Sequence, residues 1–206
     1  MTTVMRVTET ARTQIRRTLL EAGMRLFSTQ GYGATTVDQI TAAAGVAKGT
    51  FYNYFASKED LALTVLVDHL SEIEQRFDQL LKGHPTTRER LAVLFDHLLP
   101  WIEQNPELTW LWAIENLRRG GAAPGAALWH RLCCRLLSEG QAQGDVRQGD
   151  APERLALGLE GVLLAHVANW YHRGGTLSLR EQLRAALDIY WRGVAAPAGP
   201  GASSPS

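Results

Sequence analysis

Cysteine is scarce in this 206-residue chain: its two cysteines, Cys133 and Cys134, stand side by side. Neighbours on a helix point about 100° apart, which is poor disulfide geometry, so a cross-linked framework is excluded. Two small apolar residues buried in a reducing compartment are expected instead. No apolar run approaches the roughly eighteen residues that a membrane span needs, and the opening MTTVMRVTETARTQ lacks a signal-peptide core. The expected location is therefore the cytoplasm, with no membrane partner. The six histidines are scattered without a pair at metal-ligand spacing, so neither a metal nor a cofactor is expected. No Ser/His/acid or Cys/His set, phosphate loop or paired-carboxylate motif stands out, which argues against an enzyme. Excess charge is missing too, since 21 basic residues balance 21 acidic ones.

That balance hides an asymmetry. Up to Lys58 there are seven basic residues (Arg6, Arg12, Arg16, Arg17, Arg25, Lys48, Lys58) against Glu9, Glu21 and Asp38, so the remainder is acidic. An electropositive head on an acidic body suits a protein that meets phosphates with one end. A hydrophobic content of 45% gives the rest of the chain a core to bury. No segment alternates with period two between turn residues, and the pattern is helical from about Thr13 onward. The expected fold is all-α, with about nine helices.

Residues 31–65 read GYGATTVDQITAAAGVAKGTFYNYFASKEDLALTV. Thr36 with Gln39 makes a capping box, Val37, Ile40 and Ala44 share one face, and Gly45 supplies a left-handed stop. A second short helix carries Phe51 and Phe55 inward and leaves Lys48, Thr50, Tyr52 and Asn53 outward, a face suited to a major groove. The strings G-Y-x-A-T-T, A-x-A-G-V-x-K-G-T-F-Y and F-x-S-K-E-x-L together resemble the helix-turn-helix domain of the TetR family of bacterial transcriptional regulators, over residues 13–73. The resemblance implies a three-helix DNA-binding domain over 13–73 (motif 36–55), preceded by a flexible arm over 1–12. Behind it would follow an effector-binding and dimerisation domain over 74–195 and a disordered tail over 196–206. On the DNA side, Thr35 and Thr36 would offer hydroxyl and backbone N–H groups to phosphate, and Lys48 would reach a guanine edge or a phosphate. Gly49 would permit close approach, Thr50 and Asn53 would read bases, and Tyr52 and Lys58 would hold phosphates. Two positions depart from the family pattern: Ala47 where a hydroxyl residue is common, and Tyr54 where a histidine is frequent, Tyr54 still being able to donate to phosphate.

Beyond residue 73 the apolar stripe Leu66, Leu70, Ile73, Phe77, Leu80 predicts a long fourth helix that breaks at Gly83-His84-Pro85. Thr86 with Glu89, Asn105-Pro106-Glu107, Asp150 with Glu153 and Ser178 with Glu181 mark later helix starts, and Pro100 should kink the fifth. The segment 155–171 is apolar nearly all round and must be covered on two sides, by the last helix or by a second subunit. The resemblance favours the subunit, and implies an intersubunit bundle built on Leu159, Leu163, Val167, Leu183, Leu187 and Tyr190. It also surrounds a ligand cavity with the helices that carry Trp101, Trp110, Trp112, Trp129 and Trp170, with His97, His130, His166 and Asn169 as polar groups. For any single one of these residues core packing is the favoured reading. The expected function is that of a homodimeric repressor at the nucleoid, bound to a palindromic double-stranded DNA operator and released by a small apolar or aromatic effector. An effector-independent, architectural DNA-binding protein is the alternative, distinguished by a solid core.

Overall fold

The structure, a computed structural model, describes residues 2–197, with side chains from residue 11 onward. Nine α-helices follow one another among the described residues: α1 Thr2–Gln30, α2 Val37–Ala44, α3 Lys48–Tyr52, α4 Lys58–Leu81, α5 Thr87–Gln104, α6 Pro106–Arg118, α7 Ala126–Gln143, α8 Pro152–His172 and α9 Leu179–Val194. The first helix begins at Thr2 rather than near Thr13, so the backbone expected as a flexible arm continues α1.

Local sequence chemistry sets most boundaries. Thr36 and Gln39 close a reciprocal capping box at α2, and Thr86 and Glu89 do the same at α5. Ser57 and Ser178 each accept a backbone N–H at the starts of α4 and α9. Gly45 ends α2 at φ 68°, a left-handed conformation that a side chain would resist. Two expected caps do not form. Asn105 turns its side-chain amide back to the Trp101 carbonyl, leaving Pro106 to start α6 without a side-chain cap. Asp150 is taken by Arg147 and Arg154, and Ala151 stands at the cap of α8. Helix α5 remains continuous through Pro100.

Two cores result. The head packs α1, α2, α3 and the start of α4 around Leu19, Phe27, Ile40, Phe51, Phe55 and Leu61. Phe51 is wholly enclosed, and burial of such a ring contributes about 1.5–3 kcal/mol. Phe55 lies just past α3, which is shorter than the sequence pattern suggests, and still reaches the same core. The body packs the rest of α4 with α5, α7, α8 and α9 around Phe77, Leu94, Phe95, Leu136, Leu137 and Leu159. Helix α4 serves both, changing core between Val65 and Leu66, two turns before the expected boundary at 73–74. Beyond α9, the Ala196 N–H donates to the Asp145 carbonyl, and Ala195 bridges to Val146. The expected disordered tail thus begins with a tethered residue; its residues 198–206 lie outside the described part.

Candidate nucleic-acid interface and ligand cavity

The outer face of the head carries the predicted DNA residues, and the structure divides them into two groups. Lys48, Gly49, Tyr52 and Asn53 are exposed around α3, with Thr50 half-covered beside them. The position a Cβ would take on Gly49 has no atom within 4 Å, so this side of α3 is open to an approaching backbone. Lys48 Nζ lies 2.8 Å from Asp38 of α2, with both side chains more than half exposed. That pair raises the Lys48 pKa chiefly through its hydrogen bond, but an exposed pair is weakly held, and the ammonium can transfer to a phosphate. Tyr52 is 53% exposed, its ring set edge-on against Phe51. Tyr54 is half-buried against the head core, so its ring serves packing first.

Thr35 and Lys58 belong to the second group, where the expectation is corrected. Thr35 is 1% exposed; its hydroxyl donates to the Gly31 carbonyl and accepts from Gln30 Nε2. Its N–H points to the Tyr32 carbonyl. No group of Thr35 is left for phosphate, and it holds the α1–α2 loop. Lys58 Nζ donates to the carbonyls of Tyr32 at 2.7 Å and Thr35 at 2.8 Å, and lies 4.1 Å above the Tyr32 ring. Burial pushes this ammonium's pKa down, and the Glu107 carboxylate offsets part of that. Lys58 therefore acts as an internal clamp from α4 onto the loop. Thr36 is exposed, but its hydroxyl and its N–H are both engaged with Gln39, so it acts first as the cap.

The same loop is gripped from the body. Glu107, at the start of α6, accepts the Gly33 N–H at 2.8 Å. Its carboxylate would also stand 3.3 Å from a Cβ on Gly31 and would have to shift slightly to admit one, while the φ of +85° favours glycine there by conformation. Read from sequence, Glu107 was only an acid at a helix start; nothing local signals a partner 74 residues away.

Farther along, α6 lines an open-sided cavity of about 740 Å³, a size typical of small-molecule sites. Trp112, Trp129, Leu163 and Val167 form apolar walls, and Leu117 and Leu157, each 65% exposed, stand at the rim. Its polar groups are Thr109, Asn116, His130 and Glu160. Ile102, Thr109, Trp112, Trp129 and Leu163 also border an adjoining open recess of about 60 Å³, which Trp101 and His69 line as well. His69 stacks on Trp101 at 4.8 Å, and its Nε2 is buried without a protein partner. Burial is the main cause of its lowered pKa. A histidine set three residues after Leu66 and one before Leu70, on the α4 stripe, was the sequence signal for this group.

Of the residues expected around a ligand, Trp101 and Trp112 line these spaces, as do Trp129 and His130. The others do not. His97 is exposed on α5, and Trp110 stacks on Tyr171. His166 bonds the Val162 carbonyl, Asn169 pairs with Arg173, and Trp170 packs in the body core against Gly175. One α-helix carries several faces, and sequence alone does not say which face meets the cavity.

The expected dimer residues divide between the chain's own core and partly exposed positions. Leu159, Val167 and Leu183 are core residues of their own chain. Leu163 faces the cavity, Leu187 lies between α5 and α9, and Tyr190 donates to the Leu155 carbonyl of α8. The last helix thus covers one side of α8 from within the chain. The outer side of the pair instead exposes Gly158, Gly161 and Ala165 on α8 with Ala185 and Ile189 on α9, and Ile189 is 72% exposed.

Among known proteins, the family model described as "Bacterial regulatory proteins, tetR family" matches residues 19–65, the head and the first turns of α4. The HTH-type transcriptional repressor DhaR of Mycobacterium sp. (strain GP1) is 31% identical over 188 residues, covering 87% of this chain and 90% of its own. The chain belongs to the TetR family. Another relative, the fatty acid metabolism regulator protein of Bacillus subtilis (strain 168), is 24% identical over 85% of this chain and 93% of its own. Among solved structures, Thermus thermophilus FadR, a TetR-family transcriptional repressor in complex with lauroyl-CoA, superposes with a TM-score of 0.75. It is 26% identical, and the match covers 92% of this chain and all of that one. This TetR-family chain is accordingly a DNA-binding transcriptional regulator with an all-α fold.

Proposed function

We propose that this TetR-family regulator is a homodimeric repressor of a palindromic operator, released by an apolar or aromatic effector seated in the cavity between α6, α7 and α8. The observation that carries this reading is the reach of α6. Its middle lines the cavity through Thr109, Trp112 and Asn116, while its first turn grips Gly33 of the head through Glu107. Helix α4 runs parallel in function: His69 lines the adjoining recess, and Lys58 clamps the same loop. A ligand that displaces either helix alters the support of residues 31–35 and, through them, the placement of α2 and α3. Lauroyl-CoA in the Thermus FadR complex supports a ligand with a long apolar part, and His69 and His130 favour one that also carries a hydrogen-bonding group. Symmetry of a helix-turn-helix reader supports the dimer. Its contact surface would be the exposed side of α8 and α9, whose glycines and alanines admit close helix approach. The working place would be the cytoplasm, at the nucleoid. The cavity weighs against the architectural alternative.

Duplex DNA selected for binding to the purified protein, titrated with lauroyl-CoA, lauric acid and naphthalene, tests the reading. An effector should quench fluorescence of the cavity tryptophans and weaken DNA binding, and DNA should weaken the effector by the same factor. Absence of any response to all three probes, with DNA binding intact, would leave the effector-independent reading in its place.

A further inference from the structure

Helices α7 and α8 bring a thiol, an imidazole and a carboxylate into one chain of contacts beside the cavity. Cys134 Sγ lies 3.3 Å from His130 Nε2, and His130 Nδ1 lies 2.7 Å from Glu160 Oε1. A carboxylate accepts only, so Nδ1 carries the proton and, in the neutral ring, Nε2 is left as the acceptor for the thiol. This is the nucleophile–base–orienting group order that activates a thiol. His130 and Glu160 line the cavity, and Cys134 is half-buried one turn along α7 from His130. Its neighbour Cys133 is fully enclosed.

We propose that Cys134, His130 and Glu160 form a covalent capture site for apolar α,β-unsaturated carbonyl compounds that enter the cavity. The thiol sulfur attacks the β-carbon; the S–C bond forms as the C=C π bond breaks to an enolate. His130 Nε2 takes the thiol proton and returns it to the α-carbon. Thiol plus enone gives a thioether ketone, with no oxidant or reductant consumed. Glu160 is a positioning residue that fixes the ring and its tautomer.

The surroundings select this chemistry over oxidation. The groups facing the thiol are His130 on its own helix and Glu153 and Glu160 from α8, with Cys133 adjacent. Burial, then the two carboxylates, pushes the Cys134 thiol up, so it rests protonated and unreactive toward polar oxidants. A disulfide with Cys133 is opposed by helix geometry. Attack awaits an electrophile that the apolar walls hold in place while His130 accepts the proton.

The full-length protein, treated with 2-cyclohexen-1-one and followed by intact-mass and peptide mass spectrometry, tests this. One adduct per chain is expected, on Cys134, retained in Cys133→Ser and absent in Cys134→Ser. General-base assistance predicts that His130→Gln slows capture by about 100-fold and leaves a rate that rises roughly tenfold per pH unit, as for an unassisted thiol. Glu160→Gln should change the pH profile in the same direction to a lesser extent. Capture as slow in the native protein as in the guanidinium-unfolded chain, an unchanged rate in His130→Gln, or first modification at Cys133 would each overturn the proposal. The readout needs no DNA, so its failure leaves the regulator reading standing.

Discussion

Replacing Glu107 by alanine should uncouple the head from the cavity without unfolding either. The structure sets the size of the effect. One carboxylate of α6 accepts the Gly33 N–H at 2.8 Å and faces the Lys58 clamp. A hydrogen bond to a charged group contributes about 1.5–3 kcal/mol, and Glu107 is only half-buried, which favours the lower part of that range. At about 1.4 kcal/mol per factor of ten, the Gly33 amide should exchange with solvent roughly 10- to 40-fold faster in the variant. Deuterium exchange read residue by residue over 31–35 measures this directly. Exchange in the body core, at Leu136 and Leu137, should be unaffected, and Glu103→Ala on the exposed side of α5 serves as control. If the contact carries coupling, the loss of DNA affinity on effector binding should shrink by up to the same factor, while DNA affinity without effector changes less. Unchanged Gly33 exchange would refute the contact. Faster exchange with an undiminished effector response would refute its part in coupling.

Further outcomes follow from the same geometry. Ile189→Glu should convert a dimer to monomers in sedimentation, because a charge would enter the exposed α8–α9 surface; a dimer of normal stability would move the interface elsewhere. Lys48→Ala should lower the slope of log affinity against log salt by about 1, whereas Asn53→Ala should change preference among DNA sequences by about 1–3 kcal/mol for a lost base contact. Lys58→Met should lower the melting temperature of the head and change the salt slope less than Lys48→Ala does, since its ammonium is spent on Tyr32 and Thr35. Arg118 and Arg119 hold the Glu115 carboxyl down at about 2, from its ordinary value of 4.5. A carboxylate depressed by folding stabilises above its unfolded pKa, so the stability gap between wild type and Glu115→Gln should be full at neutral pH and close as pH falls from 4.5 toward 2. A pH-independent gap in chemical denaturation would show that the Arg pair does not act through that charge.

Boundaries and the head were legible because their causes are local. A capping box spans four residues, a left-handed glycine one, and the Phe51 anchor needs only its own helix to point inward. The readings that failed depended on which side of a helix meets which neighbour. The segment around α8 is apolar on most sides, and Leu159 and Val167 satisfy an inward stripe as well as an intersubunit one. The exposed side of α8 carries Gly158, Gly161 and Ala165 instead, a small-residue face that is quiet on a hydrophobicity scale. The tryptophans misled in a related way, as their size made them conspicuous wherever they stood. Trp170 fills the core and Trp110 stacks on Tyr171, while the polar groups of the cavity are Thr109, Asn116, His130 and Glu160.

Lys58 shows why a motif position and a role are separable. Its place at the start of α4 suggests a phosphate contact, because helix amides and a lysine share that end. The structure spends two of its three ammonium protons on carbonyls of the α1–α2 loop, while Glu107 takes the loop's Gly33 N–H. An opposed pair of charges thus holds one six-residue loop, Lys58 from α4, which borders the recess, and Glu107 from α6, which lines the cavity. Covering a cation by a ring and two carbonyls costs solvation, which its lowered pKa reflects. Such a clamp is stable only while α4 and α6 keep their spacing. A ligand that parts these helices need not touch the head to reset it, since separating Lys58 from Glu107 leaves the loop with one support in place of two.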